Sequence, residues 1–145
     1  MREADERGAL LFNSQGGSLT AALGLGRLIR KYGLDTVVGG PYVENEPNNP
    51  VEQRVVVKAG ICFSACVYAF LGGQTRELSN PGTLGVHQFR GAKEDSGEVV
   101  AQVTTAMLAE YLDEMGVDRK LLVLLCYKLL MTLRLGDTGG IVKLG

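Results

Sequence analysis

The first apolar run of the chain, Ala9-Leu10-Leu11-Phe12, is short and is followed at once by Asn13-Ser14-Gln15-Gly16-Gly17-Ser18. A four-residue apolar segment ahead of a cluster of turn formers predicts a buried strand running into a glycine loop. From Leu19 the apolar positions Leu19, Ala22, Leu23, Leu25, Leu28 and Ile29 recur at helical spacing, with Arg27, Arg30 and Lys31 towards the far end and Gly33 beyond it. That spacing predicts an amphipathic helix with a glycine stop. Asp35-Thr36-Val37-Val38 predicts a second strand. Residues 39–53, broken by Pro41, Pro47 and Pro50, predict a loop insertion.

The run Arg54-Val55-Val56-Val57-Lys58-Ala59 is β-branched and apolar, as a central strand of a covered sheet would be. It leads into Gly60-Ile61-Cys62-Phe63-Ser64, after which small and apolar residues to Leu71 predict a helix buried nearly all round and ended by Gly72-Gly73. Residues 76–78 and 83–89 read as two short strands separated by the turn Ser79-Asn80-Pro81-Gly82. A helix is expected over 98–115, stopped by Gly116, and a leucine-rich helical pattern over 118–135, before a glycine-rich end. Strands alternating with helices predict an α/β fold with a largely parallel sheet.

Length and composition narrow the function classes. A chain of 145 residues fits a single domain over 1–145, and 46% hydrophobic with 21% charged residues is the make-up of an ordinary globular protein. Fifteen Lys and Arg against sixteen Asp and Glu give a net charge of -1, which leaves no basic excess for a phosphate backbone, so nucleic acid is not an expected partner. The longest uncharged stretch, 59–73, is fifteen residues, short of the roughly 18 to 20 that a spanning helix needs. No membrane span is expected. The amino terminus lacks the layout of a secretory signal, so the chain as written reads as cytoplasmic.

Reactive groups in α/β sheets collect where strands end and helices begin, and Ser64 occupies such a place. A hydroxyl there lies beside unpaired amides that can polarise it and hold an oxyanion. The local sequence by itself favours the simpler role of helix N-cap. His87, the sole histidine, falls at the end of the strand that follows the Ser64 helix, so the two would form a nucleophile and base at successive strand ends. Gly16 and Gly17, between a strand and a helix, offer bare amides that could complete an oxyanion hole with the amide of Ala65. The alternative is a plain glycine turn. Dinucleotide and P-loop fingerprints are missing, no cofactor is expected, and Cys62 and Cys66 stand where a G-x-S-x-G elbow would have glycines. For Cys62 and Cys66 the first reading is simple burial of small residues, the second a disulfide, and the third a zinc site with His87 and Cys126; no metal site is expected.

Three motifs in order then resemble a known family. Asn13-Ser14-Gln15-Gly16-Gly17, Gly60-Ile61-Cys62-Phe63-Ser64-Ala65-Cys66 running to Gly72-Gly73, and Leu78-Ser79-Asn80-Pro81-Gly82 running to Val86-His87-Gln88-Phe89 resemble the proteolytic subunit of Clp protease and its relatives. The Cys-x-Ser-Ala-Cys form is most similar to the ClpP-like periplasmic proteins. The resemblance covers residues 9–115. It implies a ClpP/crotonase fold of repeated ββα units, a serine peptidase with Ser64 as nucleophile and His87 as base, and Gly16 and Ala65 as oxyanion donors. It also implies a peptide or protein substrate, a homo-oligomer formed through residues 121–135, and a periplasmic location. Gln15 replaces the family proline, and the family's opening strand and helix have no counterpart, which reads as truncation at the amino terminus. The family's acid is not recognisable in the atypical segment 121–145; Asp137 is the best placed by order and Asp118 the second. A second class stays open, a catalytically weak binding or assembly module on the same fold, favoured if no acid reaches His87; Ser64 and His87 together argue against a third, an acyl-CoA enzyme of the crotonase type.

Overall fold

A computed structural model describes residues 8–79, 81–86, 97–122 and 131–134. Strand β1 (Ala9–Phe12) pairs in parallel with β2 (Asp35–Val38), and β2 pairs in parallel with β6 (Arg76–Leu78), giving one three-stranded sheet. A second sheet sets β5 (Ile61–Phe63) parallel to β7 (Thr83–Val86), which pairs antiparallel with β8 (Met131–Arg134). The third is a hairpin of β3 (Gly40–Glu46) and β4 (Asn49–Lys58). The protein is therefore mixed α/β, with small parallel and antiparallel sheets where one largely parallel sheet was expected.

The first helix, α1 (Leu19–Lys31), starts where Ser18 Oγ accepts the Ala21 amide and ends with Arg30 and Lys31 in its last turn. Both ends suit the helix dipole and its unpaired backbone groups. Its buried face is Ala22, Leu23, Gly26 and Ile29, whereas Leu25 and Leu28, read as part of the apolar stripe, are exposed. Helix α2 (Ala65–Phe70) is buried along its whole length, as its small and apolar residues predicted. It meets α1 where Gly72 lies against the Gly26 backbone, so closely that a Cβ on Gly72 would fall 2.2 Å from the Gly26 carbonyl oxygen. Helix α3 (Gly97–Glu114) meets both at the same place: Tyr111 sits against Gly26 and donates its hydroxyl to the Tyr68 carbonyl at 2.5 Å. The core thus gathers on α2, with Val38, Cys62, Leu84, Leu108, Leu112 and Leu121 around it.

Two stretches depart from the sequence reading. Residues 39–53 do not form a loop but most of the β3–β4 hairpin, turning at Pro47 and Asn48. A two-stranded ladder leaves one edge of each strand free, so prolines such as Pro41 can sit in it without losing a ladder bond. The charges that made the segment look loop-like pair across the strands: Glu44 with Lys58 at 2.7 Å and with Arg54 at 3.6 Å, and Arg54 with Glu46 at 3.5 Å. Consequently 54–59 is no central strand of a covered sheet, and Val55 is 70% exposed.

The second departure is 118–135, which is not one helix. Residues 120–122 make a short helical turn, while Met131–Arg134 pairs with β7 as a strand. The exposed edge of β7 offers that segment a row of backbone partners, and ladder pairing there outweighs its leucine content. Leu121, expected at an interface between subunits, is buried in this chain's own core. Among the described residues no helix is long and apolar enough to cross a membrane.

Candidate active site

The site is built at the junction of β5 and α2. Its strand is anchored on both sides: Phe63 is in register with Gly85 of β7, and Ser14 bridges to Cys62 from the glycine loop. That bridge consists of the Ser14 amide donating to the Ile61 carbonyl at 2.8 Å and the Phe63 amide donating to the Ser14 carbonyl at 3.0 Å. Asn13 Oδ1 accepts the Ile61 amide at 3.2 Å. The loop expected to face Ser64 is therefore laced to the strand that delivers Ser64.

Ser64 itself has φ 56° and ψ −126°, and it is the one non-glycine residue with positive φ among the described residues. A side chain in this region costs of order 1–3 kcal/mol and persists only where its surroundings hold it there. Here the Ser64 amide donates to the Gly85 carbonyl at 2.8 Å and the Val67 amide donates to the Ser64 carbonyl at 3.1 Å. The hydroxyl caps no amide of α2, so the N-cap role that local sequence favoured is not the one this residue plays. What stands at the strand-to-helix turn is a strained serine, half-buried, on the conformation of a nucleophile elbow. The strand that feeds it is β5, not the 54–59 run.

Gly16 crosses directly over this turn. With φ +119° it holds a backbone that L side chains rarely adopt, and a Cβ there would lie 2.8 Å from the Phe63 carbonyl oxygen, 2.9 Å from Ser64 Cβ and 3.4 Å from the Ala65 nitrogen. Its amide, read as an oxyanion donor, donates to Ser14 Oγ at 3.1 Å. Gly16 supplies room; the amides of Gly17 and Ala65 are the ones that donate to no acceptor among the described residues. Ser14 was missed as a site residue. Its signal was a hydroxyl two residues before the glycine pair, where such side chains fold back on the following backbone.

Cys62 and Cys66 are joined in a disulfide, which overturns their reading as separately buried thiols and removes them as zinc ligands. Among the described residues no cluster of His, Cys, Asp and Glu could hold a metal. Asp118, the second candidate for the acid, accepts the Lys120 amide at 2.8 Å and lies 3.4 Å from Lys120 Nζ. That backbone bond is the main reason its carboxyl is held below the usual range, so Asp118 is a cap of the 120–122 turn. His87, Asp137 and Cys126 lie outside the described residues; β7 ends at Val86, the residue before His87. In comparisons with known proteins, no protein-family model matches the chain and no curated protein matches it.

Proposed function

We propose that this protein is a serine hydrolase of the ClpP-like class, cleaving peptide bonds through an acyl-enzyme on Ser64. The observation that carries this reading is the Ser64 backbone, strained at a strand-to-helix turn while its hydroxyl does no capping work. Strain of this kind concentrates where a nucleophile has to be presented. In the proposed reaction His87 takes the Ser64 hydroxyl proton as the oxygen attacks the scissile carbonyl. The amides of Gly17 and Ala65 receive the oxyanion, His87 returns the proton to the leaving amine, and water then releases the acyl group. Asp137 is the proposed acid that fixes the His87 tautomer.

The finer fold assignment, repeated ββα units of the ClpP/crotonase type, is part of the same proposal. It draws support from two small sheets joined at Ser14 and Cys62, with the serine at their junction. The Cys62–Cys66 bond suits an oxidising compartment and so supports a periplasmic setting. The alternative, a binding or assembly module without turnover, rests on Asp118 being committed to a cap. A fluorogenic peptide library separates the two. Hydrolysis by the parent protein, lost in Ser64→Ala and in His87→Ala, is the expected result; binding of peptides without cleavage by the parent would favour the module.

A further inference from the structure

We propose that the Cys62–Cys66 disulfide is a positioning element for Ser64, holding the serine in its strained conformation so that reactivity depends on the redox state of the pair; the reactivity part rests on the hydrolase reading above. Ser64 stands at the centre of the five-residue ring that the bond closes. Four extended residue steps would span roughly 13 Å. The two cysteine Cα atoms are only 5.3 Å apart, so the chain has to double back within the ring, and Ser64 is where it does so. Both ends of the ring are fixed. Cys62 is fully buried in β5 between Ser14 and Leu84, and Cys66 is 7% exposed in a helix with no exposed residue. A bond between two immobile ends transmits its constraint to the residue between them.

Two backbone hydrogen bonds, from the Ser64 amide to Gly85 and from the Val67 amide to Ser64, hold the same turn. These two bonds remain when the ring opens, so reduction removes one of the constraints on the turn without dismantling the fold. The chemistry is thiol–disulfide exchange with a dithiol: its thiolate attacks one sulfur to give a mixed disulfide, and its second thiol displaces the protein sulfur and closes into a cyclic disulfide. Cys62 and Cys66 gain two electrons and two protons. The thiols then need more room than the bonded pair, inside a packed core. Ser64 gives way first, because its conformation is the one under strain.

The test compares fluorophosphonate labelling of the intact protein before and after dithiothreitol, with thiol titration to confirm that the pair has been reduced and far-UV circular dichroism to confirm that the reduced protein is folded. Labelling of Ser64 is expected to slow by about 10-fold to 100-fold on reduction, as for a misplaced reacting group, and to recover on reoxidation. Equal rates in folded oxidised and folded reduced protein would overturn the proposal. Hydrogen exchange at the Ser64 and Val67 amides gives a readout that does not depend on nucleophilicity. If the oxidised protein never labels, the hydrolase reading fails, while faster exchange on reduction still upholds the positioning role and unchanged exchange refutes it. Should the reduced protein be too unstable for labelling, melting curves of Ser64→Gly and Ser64→Ala, oxidised and after reduction in the cold, decide. Glycine adopts positive φ freely and has no strain to release when the ring opens, so reduction should lower the melting temperature more in Ser64→Gly than in Ser64→Ala; equal losses would overturn the proposal.

Discussion

Gly16 and Ser64 show how one residue's conformation can depend on another's lack of a side chain. The glycine loop reaches the Ser64 turn only because Gly16 has neither a Cβ to strike the Phe63 carbonyl nor a penalty at φ +119°. Gly16→Ala must push the loop away from Ser64 and Ala65, and with it the Gly17 amide. The expected result is a fall of about 10²-fold in fluorophosphonate labelling with the fold kept, read by labelling kinetics beside circular dichroism, in the range seen for loss of one oxyanion donor. The acids allow a second test at this scale. Asp137→Asn should cost up to about 10⁴-fold in peptide hydrolysis, as in the best-studied triad, because an amide favours the wrong imidazole tautomer. Asp118→Asn should leave hydrolysis close to the parent, since Asp118 already spends its carboxylate on the Lys120 amide. Comparable losses in both variants would contradict this assignment. The sequence made Ser64 visible by its place between strand and helix. Ser14 taking the Gly16 amide was legible only as a hydroxyl two residues before a glycine pair, a pattern that is the same whether or not the side chain folds back.

Among the elements, the helices and short parallel strands were legible and the hairpin was not. Helix α1 was predicted over the residues it occupies because its cap, its spacing and its glycine stop all lie within the segment. The β3–β4 ladder depends instead on pairing between residues as far apart as Gly40 and Lys58, and periodicity within either strand is masked by prolines and alternating charge. The same holds for β8, whose leucines read as helix until the β7 edge is present to pair with it. Between helices, α1 and α3 are joined by Arg27 and Glu114, with Nε to Oε2 at 2.7 Å and Nη2 to Oε1 at 3.0 Å. The hydrogen bond from Arg27 holds the Glu114 carboxyl below its ordinary value of 4.5. A carboxyl whose folded pKa is depressed contributes stability above the unfolded value, and the contribution disappears as pH falls through the folded one. Glu114→Gln should therefore cost less than about 1 kcal/mol of stability near neutrality for so exposed a pair, seen as a slightly lower melting temperature. The difference should vanish at pH below the carboxylate range; thermal melts of both proteins across pH check it, and a difference that grows on acidification would contradict the sign.

At the scale of the whole molecule, apolar surface remains uncovered. Val99, Val103 and Met107 follow one another along α3 at 68%, 54% and 47% exposure, and Val51 and Val55 of the hairpin are 89% and 70% exposed. Patches of this kind mark interaction surfaces. Self-association through α3 is thus expected, and Leu121, expected at the interface, is spent on the chain's own core. Sedimentation should find an oligomer for the parent and a monomer for Val103→Glu combined with Met107→Glu; a monodisperse parent monomer at micromolar concentration would contradict it. How the sheets meet was legible only in part, since the order of motifs pointed to a serine at a strand end but not to the Ser14–Cys62 bridge that brings the sheets together. Whether Ser64 is an activated nucleophile is decided by treating the oxidised protein with a fluorophosphonate and mapping the adduct by peptide mass spectrometry. A single adduct on Ser64, absent in His87→Ala, is the expected result. No adduct, or one on another residue, would contradict the account.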